Sequence, residues 1–193
     1  MSKKKKESQI VNTAIEQFSK NGFFSTSVSQ IASSLKISVG NIYTYFKSKN
    51  ELAKTSVTYV TNILANKLNE INSQNISTKE KIYLFVESYL KFLQKHPAKI
   101  NFFFKVYLSN REIFCDDEHC GFELAQNFIN EVKSLIDSGI EEGEFGKRDF
   151  YLSFAIFTGI LGGITFLNGE NVLSKDLSIY TKDLSEAIYR ALQ

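Results

Sequence analysis

Residues 26–52 read TSVSQIASSLKISVGNIYTYFKSKNEL. Val28, Ile31, Ala32 and Leu35 recur at i, i+3, i+4 and i+7, which predicts a short helix. Ser27 and Gln30 form a capping box at its start. Lys36-Ile37 is the turn after it, and Ser38 caps a second short helix that points Ile42 and Phe46 inward. Ser48 with Glu51 is another capping box and opens a long helix. The second short helix carries Val39, Gly40, Asn41, Tyr43, Thr44 and Tyr45 where a charged solvent face would be ordinary.

The same periodicity extends in both directions. Upstream, Ile10, Val11, Ala14, Ile15 and Phe18 share one helical face, and Asn21-Gly22 ends that helix. Lys3–Lys6 form a basic arm, expected to be disordered until a polyanion binds it. Downstream, the long helix buries Ala53, Val57, Val60, Leu64, Leu68 and Ile71 and runs to about Asn72. Ser77 and Glu80 cap a helix with Ile82, Phe85, Val86, Tyr89, Leu90 and Leu93 on its inner face. Pro97 divides it from a stripe of Ile100, Phe103, Phe104, Tyr107 and Leu108. A polar connection, Phe114–Gly121, leads to Ala125, Phe128, Ile129, Val132, Ile136 and Ile140, with Gly139, Gly143 and Gly146 breaking the pattern. An apolar helix opens at Arg148-Asp149, and Leu177, Tyr180, Leu184, Ala187, Ile188 and Ala191 mark the last one. The fold predicted is all-α: three small helices, one long connector and five in a body, about nine in all.

Charge is unevenly spread. Up to Lys54, nine lysines stand against three glutamates, a net of +6; the rest has fourteen basic and eighteen acidic residues, a net of −4. A basic end and an acidic body point to nucleic acid as partner of the first and not of the second. Two cysteines in 193 residues make no disulfide framework, so a cytoplasmic location is expected. The N-terminal lysines are followed by no apolar core, which argues against a signal peptide. The run Phe150–Leu167 approaches the length of a membrane span. Ser153, Thr158, Gly159, Gly162, Gly163 and Thr165 interrupt it, so a helix buried on two sides of a soluble protein is expected and no membrane partner.

Two short helices joined by a tight turn can lay the second in the major groove of DNA. The groove admits one helix, so its face must be small or hydrogen-bonding. Gly40 lets the backbone approach, Val39 and Asn41 lie at the helix start, and Tyr43, Thr44 and Tyr45 bring hydroxyls. Ser38 caps this helix, Thr26 and Ser27 lie at the start of the preceding one, where free amides favour phosphate, and Lys47 and Lys49 add charge.

This segment resembles the DNA-binding domain of TetR-family transcriptional regulators. The resemblance rests on Thr26-Ser27-Val28, Ile31-Ala32, Ile37-Ser38, Gly40, Ile42-Tyr43, Tyr45-Phe46, Ser48-Lys49 and Leu52. It covers about a quarter of the chain. Lys36 stands where the family usually has Gly. The resemblance implies a helix-turn-helix domain over residues 1–50 and an effector-binding, dimerising body over 51–193. It further implies a homodimer on a near-palindromic operator, acting as a repressor that a small molecule releases.

The body is rich in aromatics without a charged cluster, which suits an apolar or aromatic effector. Candidate pocket residues are Phe85, Tyr89 and Phe92, then Phe103, Phe104 and Tyr107, then Phe128, Phe154 and Phe157, with Tyr89, Tyr107 and Asn127 as polar contacts. Gly159 and Gly163 lie one turn apart, a spacing that permits close helix approach. In proteins of the resembled family the last two helices form the dimer interface, which here implies Phe157, Gly159, Gly163, Phe166, Leu184 and Ile188. Cys115, His119 and Cys120, with three carboxylates between, offer an alternative: a metal or thiol-redox sensor. Their spacing is not that of a zinc finger. No catalytic constellation and no phosphate-binding glycine loop is present, so neither an enzyme nor a cofactor is expected.

Overall fold

The computed structural model describes residues 3–114 and 121–193, and among them every regular element is helical. The candidate sensor loop Cys115–Cys120 lies outside the described residues. The described residues form ten α-helices: α1 (Lys3–Asn21), α2 (Val28–Ser34), α3 (Val39–Tyr43), α4 (Lys49–Asn72), α5 (Thr78–Lys95), α6 (Pro97–Phe102), α7 (Arg111–Phe114), α8 (Gln126–Glu141), α9 (Phe150–Gly169) and α10 (Thr181–Leu192). The helix beyond the predicted nine is α7, a single turn at the edge of the stretch read as a connection. The chain divides into two compact units, Met1–Thr61 with Pro97–Ala125, and Asn62–His96 with Gln126–Gln193.

In the first unit α1 buries Ile10, Val11, Ala14, Ile15 and Phe18, the predicted stripe. Phe18 stacks on Phe102 at 6.0 Å between centroids, which fixes α6 along α1. Ile31, Ile42, Leu52 and Val57 close the same core from α2, α3 and α4, with Phe46 from the connection between α3 and α4. Lys3–Lys6 are not a disordered arm but the opening of α1, an arrangement the helix dipole disfavours for cations.

After α6 the chain makes a π-helical turn, Phe103–Tyr107, with the Leu108 amide donating to the Phe103 carbonyl at 3.1 Å. The extra residue per turn rotates the following side chains. Ile100 is buried as predicted, but Phe102 and Val106 are buried in place of Phe103, Phe104 and Tyr107, which are half-buried, and Leu108 is exposed.

In the second unit α5 buries all six predicted residues and packs most extensively on α10. On the rest of α4, Leu68 and Ile71 are buried but Leu64 is only half so. The end of α8 is tight. The Gly139 carbonyl accepts from the amides of Glu144 and Phe145, and the Phe145 ring lies over Gly139. Asp149 caps α9 by accepting from the Leu152 amide at 3.1 Å. Leu177–Tyr180 is a 3₁₀ turn before α10, and it resets the helical phase. Thr181, Ser185, Ile188 and Leu192 face inward, and the predicted Ala187 and Ala191 face out.

Among the described residues α9 is the one helix long and apolar enough to cross a membrane, with a mean hydropathy of 1.8. It buries Ser153, Phe157, Leu161, Ile164 and Thr165 within its own unit and leaves Tyr151, Leu152, Phe166 and Leu167 exposed.

Candidate nucleic-acid interface and effector cleft

The helix-turn-helix is built from caps and one strained residue. The Gln30 amide donates to Ser27 Oγ at 3.2 Å, and the Ser27 amide donates to Gln30 Oε1 at 2.7 Å, completing the capping box of α2. At the other end of α2, Lys36 takes the left-handed conformation with φ 54°. Its amide donates to the Ser33 carbonyl and that of Ile37 donates to Ala32, both at 3.0 Å. This is a Schellman termination with lysine where glycine would be unstrained. Ser38 then caps α3 by accepting from the Asn41 amide at 3.1 Å.

Ile42 and Phe46 anchor α3, at 1% and 2% exposure. Ser38, Gly40, Asn41, Tyr43 and Thr44 are exposed on its outer side, and Val39 is half-buried. A Cβ on Gly40 would meet only Ser38 Oγ, at 3.9 Å, so packing within the chain does not require glycine there. The Thr44 hydroxyl donates to the Asn41 carbonyl at 2.7 Å. Tyr45 is half-buried and lies against Phe46 and the core.

Thr26 and Lys49 have internal tasks. Thr26 is 1% exposed, and its hydroxyl proton is shared between the Gly22 carbonyl at 2.8 Å and the Gln17 carbonyl at 3.2 Å. Lys49 Nζ donates to the carbonyls of Phe23 and Thr26, each at 3.0 Å, and sits 4.3 Å from the Phe23 ring centroid. Burial holds its pKa below the usual lysine value. Ser48 accepts from the Glu51 amide, while the Glu51 carboxylate accepts from the Lys47 amide, one residue before the reciprocal position of a regular box.

The nine aromatic pocket candidates fall into separate groups. Phe103, Phe104 and Tyr107 belong to the first unit, where Phe103 and Tyr107 support the α1–α6 core. The other six belong to the second unit. Phe85 stacks on Phe157 at 5.5 Å and on Phe128 at 6.0 Å, and Phe128 meets Phe154 edge-on at 6.4 Å. On the outer side of this stack a cleft of about 620 Å³ runs between α4 and α5. Ile63 and Leu64 form one wall, and Phe85, Ser88, Tyr89 and Phe92 form the other. Lys67 and Lys91 lie at its rim, paired with Glu70 at 3.0 Å and Glu87 at 2.7 Å. The α4 contribution was missed because Leu64 reads as one more core position; its half-exposure is visible only in the fold. Asn127 is exposed and donates to Asn62 Oδ1 at 2.9 Å, away from that lining.

Of the interface candidates, Phe157 and Ile188 are fully buried in their own chain. Gly159 and Gly163 have open space beyond the backbone, Phe166 is 64% exposed, and Leu184 is half-buried. Leu152, at 54% exposure, extends the outward apolar stripe and was not picked out, since in a uniformly apolar helix periodicity marks no face. Among the described residues no three His, Cys, Asp or Glu groups gather as a metal site would require.

The family model for bacterial regulatory proteins of the tetR family matches residues 10–55, which span α2, α3 and the adjoining parts of α1 and α4. The chain is 30% identical over 151 residues to the probable HTH-type transcriptional regulator YttP of Bacillus subtilis, covering 77% of this chain and 68% of that protein. It is 25% identical over 143 residues to the fatty acid metabolism regulator protein of Bacillus subtilis, covering 74% and 72%. In fold it is similar to the fatty acid degradation regulator FadR from Bacillus halodurans, with a TM-score of 0.83 at 19% identity over 98% of this chain and 97% of the other. FadR from Bacillus subtilis, solved in complex with stearoyl-CoA, gives a TM-score of 0.76 at 18% identity over 96% and 99%. The family model falls on the helix-turn-helix, and the resemblance to YttP runs over most of both chains: the chain belongs to the tetR family of bacterial regulatory proteins and is a DNA-binding transcriptional regulator.

Proposed function

We propose that this regulator is a cytoplasmic homodimeric repressor, released from a near-palindromic operator by an amphipathic effector with a long apolar part. Residues 1–50 read DNA, and 51–193 bind the effector and dimerise. The observation that carries the reading is the outer face of α3, where Ser38, Gly40, Asn41, Tyr43 and Thr44 are exposed while Ile42 and Phe46 hold the helix. Asn41 and Tyr43 reach base edges or phosphates, Gly40 allows close approach, and Val39 and the Thr44 methyl meet thymine methyls. Ser27 contacts the backbone. Thr26, Tyr45 and Lys49 position the reading head from inside. Two such heads meet successive major grooves about 34 Å apart.

The exposed stripe of α9, with Leu152, Gly159, Gly163 and Phe166, supports dimerisation, since a partner copy would cover an apolar face that water otherwise meets. The cleft supports the effector: apolar walls suit a chain, and Lys67 and Lys91 suit an anionic head group. The stearoyl-CoA bound to the Bacillus subtilis FadR is of that chemistry, and it is the natural probe.

Fluorescence anisotropy with a duplex from upstream of the protein's own gene tests the reading. Binding should weaken steeply with salt. Stearoyl-CoA should weaken it by about 5- to 150-fold, the usual range of allosteric coupling. Salt-independent or absent binding to such duplexes would defeat the proposal, and binding indifferent to acyl-CoA would defeat its effector part.

A further inference from the structure

We propose that Tyr89 is the positioning residue through which the cleft between α4 and α5 sets the geometry of α9. The assignment rests on that cleft being the effector site. Tyr89 has two faces of contact. Its ring lines the cleft beside Phe85 and Phe92, yet the residue is only 4% exposed. Its hydroxyl meets α9, bonding the Thr165 hydroxyl and lying 3.4 Å from the Leu161 carbonyl.

The Thr165 hydroxyl lies 2.8 Å from the Leu161 carbonyl, so the phenol, the Thr165 hydroxyl and that carbonyl form one hydrogen-bonded group in which either hydroxyl can donate to the other. Such a chain polarises along its length, and a hydroxyl returned to the carbonyl four residues back bends a helix. The Thr165–Leu161 bond spans the turn where α9 is weakest, since Gly162 and Gly163 lie between the two bonded residues. On the opposite side of this turn Gly163 faces open space and Phe166 is exposed. A molecule in the cleft that tilts the Tyr89 ring therefore moves its hydroxyl, loosens the Thr165–Leu161 back-bond and changes the geometry of α9 at the apolar face. Phe85 and Phe92 line the same cleft but carry no polar group that reaches α9.

Hydrogen exchange of α9 amides 161–166 in the full chain reads this link without requiring a known ligand. Ser88→Trp fills the cleft from its α5 wall. It should change exchange at 161–166 by about threefold or more when Tyr89 is intact, and by less than about half that when combined with Tyr89→Phe. Thr165→Val should silence the response in the same way, which guards against a folding defect peculiar to Tyr89→Phe. Equal responses with and without the phenol hydroxyl would overturn the assignment. Stearoyl-CoA run alongside separates the two readings. If Ser88→Trp moves α9 through Tyr89 while stearoyl-CoA leaves the whole chain unchanged, the acyl effector fails and the Tyr89 link stands. If stearoyl-CoA protects α4 and α5 and shifts α9 equally in Tyr89→Phe, the effector stands and the link fails.

Discussion

Lys49 Nζ lies 4.3 Å from the centroid of the Phe23 ring and donates to the Phe23 carbonyl at 3.0 Å. With its second bond to the Thr26 carbonyl, it clips the start of α4 to the turn between α1 and α2. A cation bonded to two carbonyls and a ring is costly to remove. Lys49→Met should destabilise the protein by about 2 kcal/mol, read as a lower urea midpoint at unchanged slope. Its charge is spent inside the chain, whereas that of Lys47 is exposed. Lys47→Ala should therefore lower the salt slope of DNA binding by about 1, and Lys49→Met should lower it by less.

Lys36 pays a conformational penalty at the turn, with φ at 54°. Glycine relieves the clash between Cβ and carbonyl that a left-handed lysine suffers. Lys36→Gly should raise stability by about 1 kcal/mol, offset in part by the greater freedom of glycine in the unfolded chain. A thermal midpoint that falls instead would mean that the lysine side chain supplies more than its backbone costs.

These two lysines show where the sequence was legible and where it was not. The turn at Lys36 follows from local pattern alone: a capping box, a four-residue apolar stripe and a second cap leave it no other place. The inner faces of α1 and α5 were legible for the same reason, as each alternates apolar and polar residues at a steady helical period. Lys49 was read as a charge for DNA because its partners, Phe23 and Thr26, lie more than twenty residues away and only the fold brings them near. Past Ile100 the stripe after Pro97 departs from the predicted face because a π-helical turn adds a residue that periodicity does not reveal, and α10 does so because a 3₁₀ turn shifts its phase. The aromatic candidates were pooled for lack of any local sign separating Phe103 from Phe85, though they belong to different units.

Gly139 lies under Phe145. A Cβ there would fall 2.3 Å from the Phe145 ring, and the Gly139 carbonyl already accepts two amides from the turn that carries that ring. Neither side can yield without breaking the end of α8. Gly139→Ala, ordinarily a helix-favouring change, should destabilise by about 1–3 kcal/mol through overpacking. Pairing it with Phe145→Leu should recover part of the loss, a coupling that a double-mutant cycle in urea would measure.

The phenol of Tyr89 is pushed up to about 12 by burial, with the Thr165 hydrogen bond opposing. Its folded pKa thus exceeds the unfolded value of 10.0. Below about pH 10 the folded and unfolded states both hold the proton, and the stabilisation is fully present. As pH rises towards 12 the unfolded chain releases the proton first, and up to about 3 kcal/mol is lost across that window. The urea midpoint of the native protein should therefore fall further between pH 9.5 and 11.5 than that of Tyr89→Phe. Tyr89→Phe leaves every other titratable group in place, so identical falls would show that the phenol is not buried in solution.

Gly40 offers the sharpest separation of folding from recognition. A methyl group there meets only Ser38 Oγ at 3.9 Å, so Gly40→Ala should fold as well as the native protein or gain up to about 1 kcal/mol from helix propensity. If α3 lies in the major groove as proposed, the same methyl stands between the helix backbone and the bases. Operator affinity should then drop about tenfold, the equivalent of 1.4 kcal/mol, while the salt slope stays constant because no phosphate contact is removed. Gly40→Ser keeps the bulk and adds a hydroxyl, and it should bind no better. A variant that is stable and binds DNA at full strength would move the reading surface away from the start of α3.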